Sequence, residues 1–214
     1  MVDQKEIFVK SKERVTDHGE VFTPAHIVNA MLDLVKGESE RIDSRFLESA
    51  CGEGNFLKQV LRRKLSTVQQ KYGKNEFERR HYALLALMCV YGIELLEDNA
   101  HTCRDVLSAI FQDFLGSEDA DEWIQAAHVV LGANIVCADA LTMKTHGGKP
   151  LIFPEWGYLG RGKFQRRDFE YAILARRSLY EAKHFEEVKE DELFVPVKSY
   201  KPMAVHEIAD LGNA

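Results

Sequence analysis

The sequence predicts an α/β domain in which a mostly parallel sheet is flanked by helices. A strand, a glycine loop and a helix follow one another at 46–57, and two later apolar runs, at 89–94 and 134–141, are typical of strands. Stretches with apolar residues at helical spacing separate these runs, which favours alternating helices and strands. At 214 residues, one α/β domain is the default expectation.

Composition excludes several classes of protein. The net charge is −6, so nucleic acid would have to be bound by a local basic patch or through a partner. No apolar run approaches the ~20 residues of a membrane helix, and the charged N-terminus lacks an apolar signal segment. The cysteines Cys51, Cys89, Cys103 and Cys137 form no C-x-x-C pair. We therefore expect a cytoplasmic protein with reduced thiols, no metal site and no membrane contact.

The loop at 46–57 is the first candidate binding site. Gly52 and Gly54 lack a Cβ, so a ligand could lie against the backbone there. The helix that begins at Asn55 offers unpaired N–H groups and the positive end of its dipole. Leu57 stands where a dinucleotide fingerprint would have its third glycine, and no Gly-Lys-Ser/Thr of a phosphate loop follows. The alternative is an ordinary strand–turn–helix.

Several elements around this loop are predicted from capping and periodicity. Thr23 is a natural N-cap with Pro24 at the first helical position, followed by an apolar stripe that we expect to be buried. A helix from Asn55 to about residue 72 would carry 62–64 on its solvated side. The apolar stripe after Pro24 consists of Ile27, Val28, Met31, Leu32 and Val35. The residues expected on the solvated side of the helix after the glycine loop are Arg62, Arg63 and Lys64.

Four segments together resemble motifs of S-adenosylmethionine-dependent methyltransferases. Residues 46–56 resemble motif I, most closely the Phe-Leu-Glu-Pro-Ala-Cys-Gly-x-Gly-Asn-Phe form of adenine-N6 DNA methyltransferases from restriction–modification systems, with Ser49 in place of proline. Residues 22–24 (Phe-Thr-Pro) resemble motif X, 91–95 (Tyr-Gly-Ile-Glu-Leu) motif II, and the strand ending at Asp139 motif III. The resemblance implies a Rossmann-like class I methyltransferase fold.

The resemblance also assigns roles at the expected cofactor site for S-adenosyl-L-methionine. Glu94 would hold the ribose hydroxyls, because one carboxylate can accept from both. Asp139 would accept from the adenine amine, and Leu95 would lie against the adenine. The expected cofactor-binding residues are Phe22, Thr23, Pro24, Glu48, Ala50, Cys51, Gly52, Gly54, Asn55, Phe56, Glu94, Leu95, Asp139, Ala140 and Leu141.

The catalytic motif of that family, Asn/Asp-Pro-Pro-Tyr/Phe, does not occur in this chain. The family's acceptors hold the flipped adenine and aim its amino nitrogen at the methyl donor, so catalysis is mainly positioning. Phe153-Pro-Glu-Trp156 is the nearest substitute, with Pro154, Glu155 and Trp156 as candidate catalytic residues. Alternatively, 150–158 is a strand with a proline-containing turn, and Trp156 lies in the core or an interface.

The segment 157–168 is the most basic and glycine-rich part of the chain. Arg161, Lys163, Arg166 and Arg167 alternate with aromatic residues, a pattern suited to phosphate and base contacts. They are the candidate nucleic-acid-binding residues. The alternative is a solvated hairpin with Phe164 inward.

The predicted organisation is one methyltransferase-like domain: an N-terminal arm at 1–18, a cofactor-binding core at 19–145, and a basic loop with a C-terminal extension at 146–214. About seventy residues follow motif III, too few for the family's remaining strands and recognition region. Three interpretations stay open: a cofactor-binding half truncated at the C-terminal end, a stand-alone minimal enzyme, or one subunit of a larger assembly.

Three functions remain open from the sequence. The first is DNA adenine-N6 methylation in a restriction–modification or mobile-element system. The second is a catalytically inactive cofactor-binding subunit that partners a catalytic or DNA-recognition chain, with a homodimer as another possible assembly. The third is methyl transfer to RNA, protein or a small molecule.

Overall fold

The structure, a computed structural model, describes residues 14, 16, 23–116, 121–173, 175 and 195–213. A mixed sheet of four strands has the order β1-β2-β3-β4, in which the first three strands are parallel and β4 is antiparallel. Two helices connect each pair of consecutive parallel strands, so the α/β prediction with a mostly parallel, helix-flanked sheet is confirmed. The strands are β1 Phe46–Glu48, β2 Val90–Glu94, β3 Ile135–Asp139 and β4 Lys144–Thr145.

Seven α-helices have both of their ends within the described ranges. The helix after the glycine loop spans Asn55–Tyr72, as the apolar spacing predicted, and its inward face is buried from Leu57 to Val68. This helix is α3. The others are α1 Ala25–Leu34, α2 Lys36–Ser39, α4 Glu76–Met88, α5 Glu97–Leu115, α6 Glu122–Asn134 and α7 Val205–Asp210. A short 3-10 turn follows α7 at Leu211–Asn213.

A second, antiparallel sheet follows the mixed sheet. It consists of β5 Ile152–Gly160, β6 Lys163–Glu170 and β7 Lys198–Ser199. Arg161 and Gly162 connect β5 to β6, both with positive φ (51° and 75°), the two-residue geometry that matches the twist of a hairpin. Residues 152–158 therefore lie in a strand, in agreement with the second of the two interpretations of that segment, but Pro154 is within the strand and not in a turn.

Two buried polar groups join the sheets to the helices. Asn134 is fully buried, donates to the Met88 and Val90 carbonyl oxygens at 3.0 Å each, and accepts from Trp156 Nε1 at 3.0 Å. His81 on α4 packs edge-on against Trp123 and donates from Nδ1 to the Phe77 carbonyl oxygen at 2.6 Å. These contacts fix β5 against the layer formed by α4 and α6.

Three sequence predictions about the helices are wrong. Pro24, not Thr23, is the N-cap of α1, and Thr23 makes no side-chain capping bond. The predicted stripe is only partly buried: Val28 and Leu32 are inaccessible, whereas Ile27, Met31 and the C-cap Val35 are each more than two-fifths exposed. A helix with apolar residues on both faces gives no sequence signal of which face packs.

Lys64 is the third correction, since it was expected on the solvated side of α3. It is fully buried, and its Nζ donates to the carbonyl oxygens of Arg41 (2.7 Å), Ile42 (3.2 Å) and Ser44. Three acceptors satisfy all three ammonium donors. Lys64 therefore fixes the backbone that leads into β1.

Some predicted elements lie outside the described residues. They are most of the arm at 1–18, Phe22 of the motif X segment, and part of the C-terminal extension, at 176–194. The strand predicted at 134–141 is shorter than expected, because Asn134 completes α6 and Asp139 ends β3.

Candidate cofactor site

The candidate site lies at the carboxyl edge of the parallel strands. Glu94 is the last residue of β2 and Asp139 the last of β3, and Glu94 is in register with Cys137. The two acidic residues lie on neighbouring strands and are offset by two residues along the strand direction, so their Cα atoms are about 8 Å apart. The sequence prediction that these carboxylates share one edge agrees with this register.

Glu94 holds the glycine loop in place. One carboxylate oxygen accepts from the Gly52 N–H at 2.7 Å and the other from the Leu96 N–H at 3.0 Å. The residue is only 7% exposed, so the hydrogen bonds form where water competes little. Each carboxylate oxygen has a further lone pair, so Glu94 can still accept from a ligand.

The two glycines of the loop have different functions. Gly52 has φ +51°, and a Cβ built there would meet nothing within 4 Å, so its backbone borders open space. Gly54 has φ +83°, but its Cβ would lie 2.9 Å from Cys103 Sγ on α5. Gly54 is therefore required for close packing of the loop against α5, and only Gly52 offers backbone to a ligand.

Cys51 and Glu48 complete the loop. Cys51 is buried, its N–H donates to the Ile93 carbonyl oxygen at 3.0 Å, and its Sγ lies against Gly92. The Cys51 side chain therefore packs in the core, where a hydrogen bond with the Cys103 thiol and burial raise its pKa far above its usual range. Burial raises the pKa of Glu48, while a bond from the Ala50 backbone opposes this shift.

Asp139 is held by the backbone that follows it. Its Oδ1 accepts from the N–H groups of Leu141 (2.8 Å) and Thr142 (3.3 Å), and these bonds lower the pKa of the carboxyl group. Two exposed leucines flank the edge: Leu95 is 48% and Leu141 94% exposed. Apolar side chains next to fixed acceptors are what a purine ring with an amino group requires.

His146 was not identified from the sequence. Its Nε2 lies 3.0 Å from the Leu95 carbonyl oxygen and 3.4 Å from Cys137 Sγ. The contact holds the residue that follows β4 against the residue that follows β2. No local pattern marks His146, because it reaches Leu95 only through the antiparallel pairing of β4 with β3.

The remaining expected cofactor residues are distributed around this edge. Thr23 is exposed at the start of α1, which packs against α3. Asn55 accepts from Lys58 Nζ in the first turn of α3, while Phe56 and Ala140 are half-buried and pack against the core. Pro24, the N-cap of α1, is partly buried.

The placement of the three candidate catalytic residues does not suit catalysis. They lie in the middle of β5, which pairs with β6 and not with β1. Trp156 is 2% exposed and packs against Asn134 and Arg166, so its ring offers no face to a flipped base. The Pro154 carbonyl oxygen accepts from Tyr91 Oη at 2.9 Å, and Glu155 forms an ion pair with Arg45 at 2.8 Å. The expected stacking role of Trp156 is thus corrected to a structural one.

The basic residues of the hairpin are mostly paired with carboxylates. Lys163 bonds to Glu207 at 2.9 Å, Arg166 to Asp168 at 2.7 Å, and Arg167 to Glu155. Phe164 is fully buried, as the hairpin alternative predicted. Of the four candidates for nucleic-acid binding, Arg161 at the exposed turn forms no ion pair with a described residue.

No protein-family model, no curated protein and no solved structure matches this chain. Within the described ranges, none of the helices has both the length and the apolar character required to cross a bilayer. The same residues contain no cluster of three or more His, Cys, Asp or Glu side chains that could hold a metal ion.

Proposed function

We propose that this chain binds S-adenosylmethionine in a Rossmann-like methyltransferase domain and serves methylation of adenine N6 in DNA. The observation that carries the proposal is the hydrogen bond from the Gly52 N–H to Glu94, which joins the glycine loop to the end of β2. This hydrogen bond supports the proposal because it places the Gly52 backbone, which borders open space, beside the Glu94 carboxylate, whose oxygens can each accept one more hydrogen bond.

Each residue at this edge of the sheet has a proposed role in binding the cofactor. Glu94 accepts from the ribose hydroxyls, and Asp139 accepts from an exocyclic amine through the oxygen that the backbone N–H groups of Leu141 and Thr142 do not use. Leu95 and Leu141 cover the purine faces, which accounts for two large apolar side chains at this edge being exposed. When bound, S-adenosylmethionine supplies the activated methyl group.

Calorimetric titration with S-adenosylmethionine tests the binding step. We expect saturable binding by wild type and weaker binding by Glu94→Ala, by a few kcal/mol at most, since buried charge-assisted hydrogen bonds are lost. Leu141→Glu should also weaken binding without unfolding the protein, because the side chain is 94% exposed. Leu159→Glu, another exposed leucine but on β5, is the matched control and should bind like wild type. Absence of binding by wild type would refute the proposal.

A second candidate function is a cofactor-binding subunit whose catalytic groups come from another chain. The specific observation in its favour is the burial of Trp156, which leaves no aromatic face for a target base in Phe153-Pro-Glu-Trp156. Incorporation of labelled methyl groups into DNA distinguishes the two functions. The enzyme should label DNA alone, whereas the subunit should bind the methyl donor and label DNA only after its partner is added.

A further inference from the structure

A cavity of about 330 Å³ lies at the opposite end of β1 from the candidate cofactor site. Its lining comes from the segment that enters β1, the end of α3, the face of α4, and β5. The lining residues are Arg41, Ile42, Asp43, Lys71, Tyr72, Tyr82, Leu85 and Tyr158. The volume is at the lower end of the range for small-molecule sites.

The aromatic side of the cavity is preformed. The rings of Tyr72 and Tyr82 stack at a centroid distance of 4.0 Å and an angle of 3°, and Tyr158 meets Tyr82 edge-on at 5.4 Å. Tyr158 Oη accepts from the Gly162 N–H at 3.2 Å. Because these rings hold one another, little side-chain entropy remains to be lost when a flat ligand enters.

The opposite side of the cavity is equally fixed. The ammonium group of Lys64 binds the carbonyl oxygens of Arg41 and Ile42 behind the cavity. The Arg41 guanidinium is oriented by Glu38 at 3.2 Å and by Asp43 at 3.1 Å. Lys71, exposed in the last turn of α3, adds a second cation at the rim.

This arrangement combines flat aromatic surface, an apolar floor, the exposed ammonium group of Lys71 and the guanidinium group of Arg41, whose charge is shared with Glu38 and the lining carboxylate of Asp43. Leu85 and Ile42 form the floor, each 7% exposed. Tyrosine rings contact heteroaromatic rings favourably, and Lys and Arg bind phosphate or carboxylate. We propose that this cavity is a second binding site, specific for a flat heteroaromatic ring that carries an anionic group, such as a nucleoside monophosphate. The site does not depend on the proposed function.

The test uses uridine monophosphate and nicotinate as two probes of this class. Calorimetry should show saturable binding of at least one probe, and saturation-transfer NMR should mark its ring protons most strongly. Binding of uridine monophosphate alone identifies a nucleotide site, and binding of nicotinate alone identifies a site for aromatic acids. Inorganic phosphate should bind far more weakly than either, because it cannot use the tyrosines.

Three variants locate the binding. Lys71→Glu should raise the Kd about tenfold or more, since a charge-assisted contact becomes a like-charge repulsion. Lys74→Glu, an equally exposed lysine that does not line the cavity, should leave the Kd unchanged, and so should Leu141→Glu at the candidate cofactor edge. The proposal is overturned if neither probe binds at concentrations up to about 10 mM, or if Lys71→Glu and Lys74→Glu act equally.

Discussion

Glu94→Gln would measure how strongly the end of β2 restrains the glycine loop. In the wild type, two backbone N–H groups donate to two carboxylate oxygens at 2.7 and 3.0 Å. Glutamine offers one carbonyl oxygen, so its NH2 group must face one of those donors. One charge-assisted hydrogen bond is lost in a site that is 7% exposed. Such bonds are worth about 1.5–3 kcal/mol, so we expect the free energy of unfolding to fall by about 2–3 kcal/mol.

Urea denaturation followed by circular dichroism would supply this number. Glu97→Gln is the control, because it makes the same chemical change on an exposed residue in the first turn of α5. That variant loses only a helix-dipole interaction, so its cost should stay below about 1 kcal/mol. If Glu94→Gln cost no more than Glu97→Gln, Glu94 would not hold the loop, and the main support for the proposed function would be removed.

Three further predictions concern stability. Lys64→Met should lower the unfolding free energy by at least about 3 kcal/mol in urea titrations, because three buried carbonyl oxygens lose their donor. Arg161→Asn should raise it by about 0.5–1 kcal/mol, since asparagine tolerates the φ of +51° better; an unchanged midpoint would contradict this strain. Burial lowers the pKa of His81, so the folded state binds fewer protons than the unfolded state below pH ~6.5. Stability should therefore fall on acidification through this range, and His81→Phe should reduce that slope.

Much of the parallel sheet and its loops could be predicted from local chemistry. The loop at 51–54 follows an apolar strand end and contains two glycines with positive φ, and both glycines are needed there for reasons of sterics. Glu94 and Asp139 end consecutive parallel strands, so their shared edge follows from the order of the strands. These features are short-range, and short-range features leave a pattern in the sequence.

The features that were not predicted depend on contacts between distant segments. Lys64 follows Arg62 and Arg63, and local charge alone favours a solvated face for all three residues. Lys64 is buried only because the segment at 41–44 presents three carbonyl oxygens to it. A lysine that completes such a cage cannot be distinguished in sequence from one that faces water. The same reason explains why His146 was missed.

Trp156 shows why a loose motif match can mislead. The sequence offers one proline and one aromatic residue where a catalytic motif would stand, and that resemblance considers only side-chain type. In the structure, the strand that carries them pairs with β6, and Asn134 fixes the indole N–H within the core. A base-stacking residue needs an accessible ring face, whereas Trp156 is 2% exposed. Under the proposed function, a catalytic acceptor for adenine would therefore have to come from elsewhere in the chain or from a partner, and transfer assays with and without added partners address that question directly.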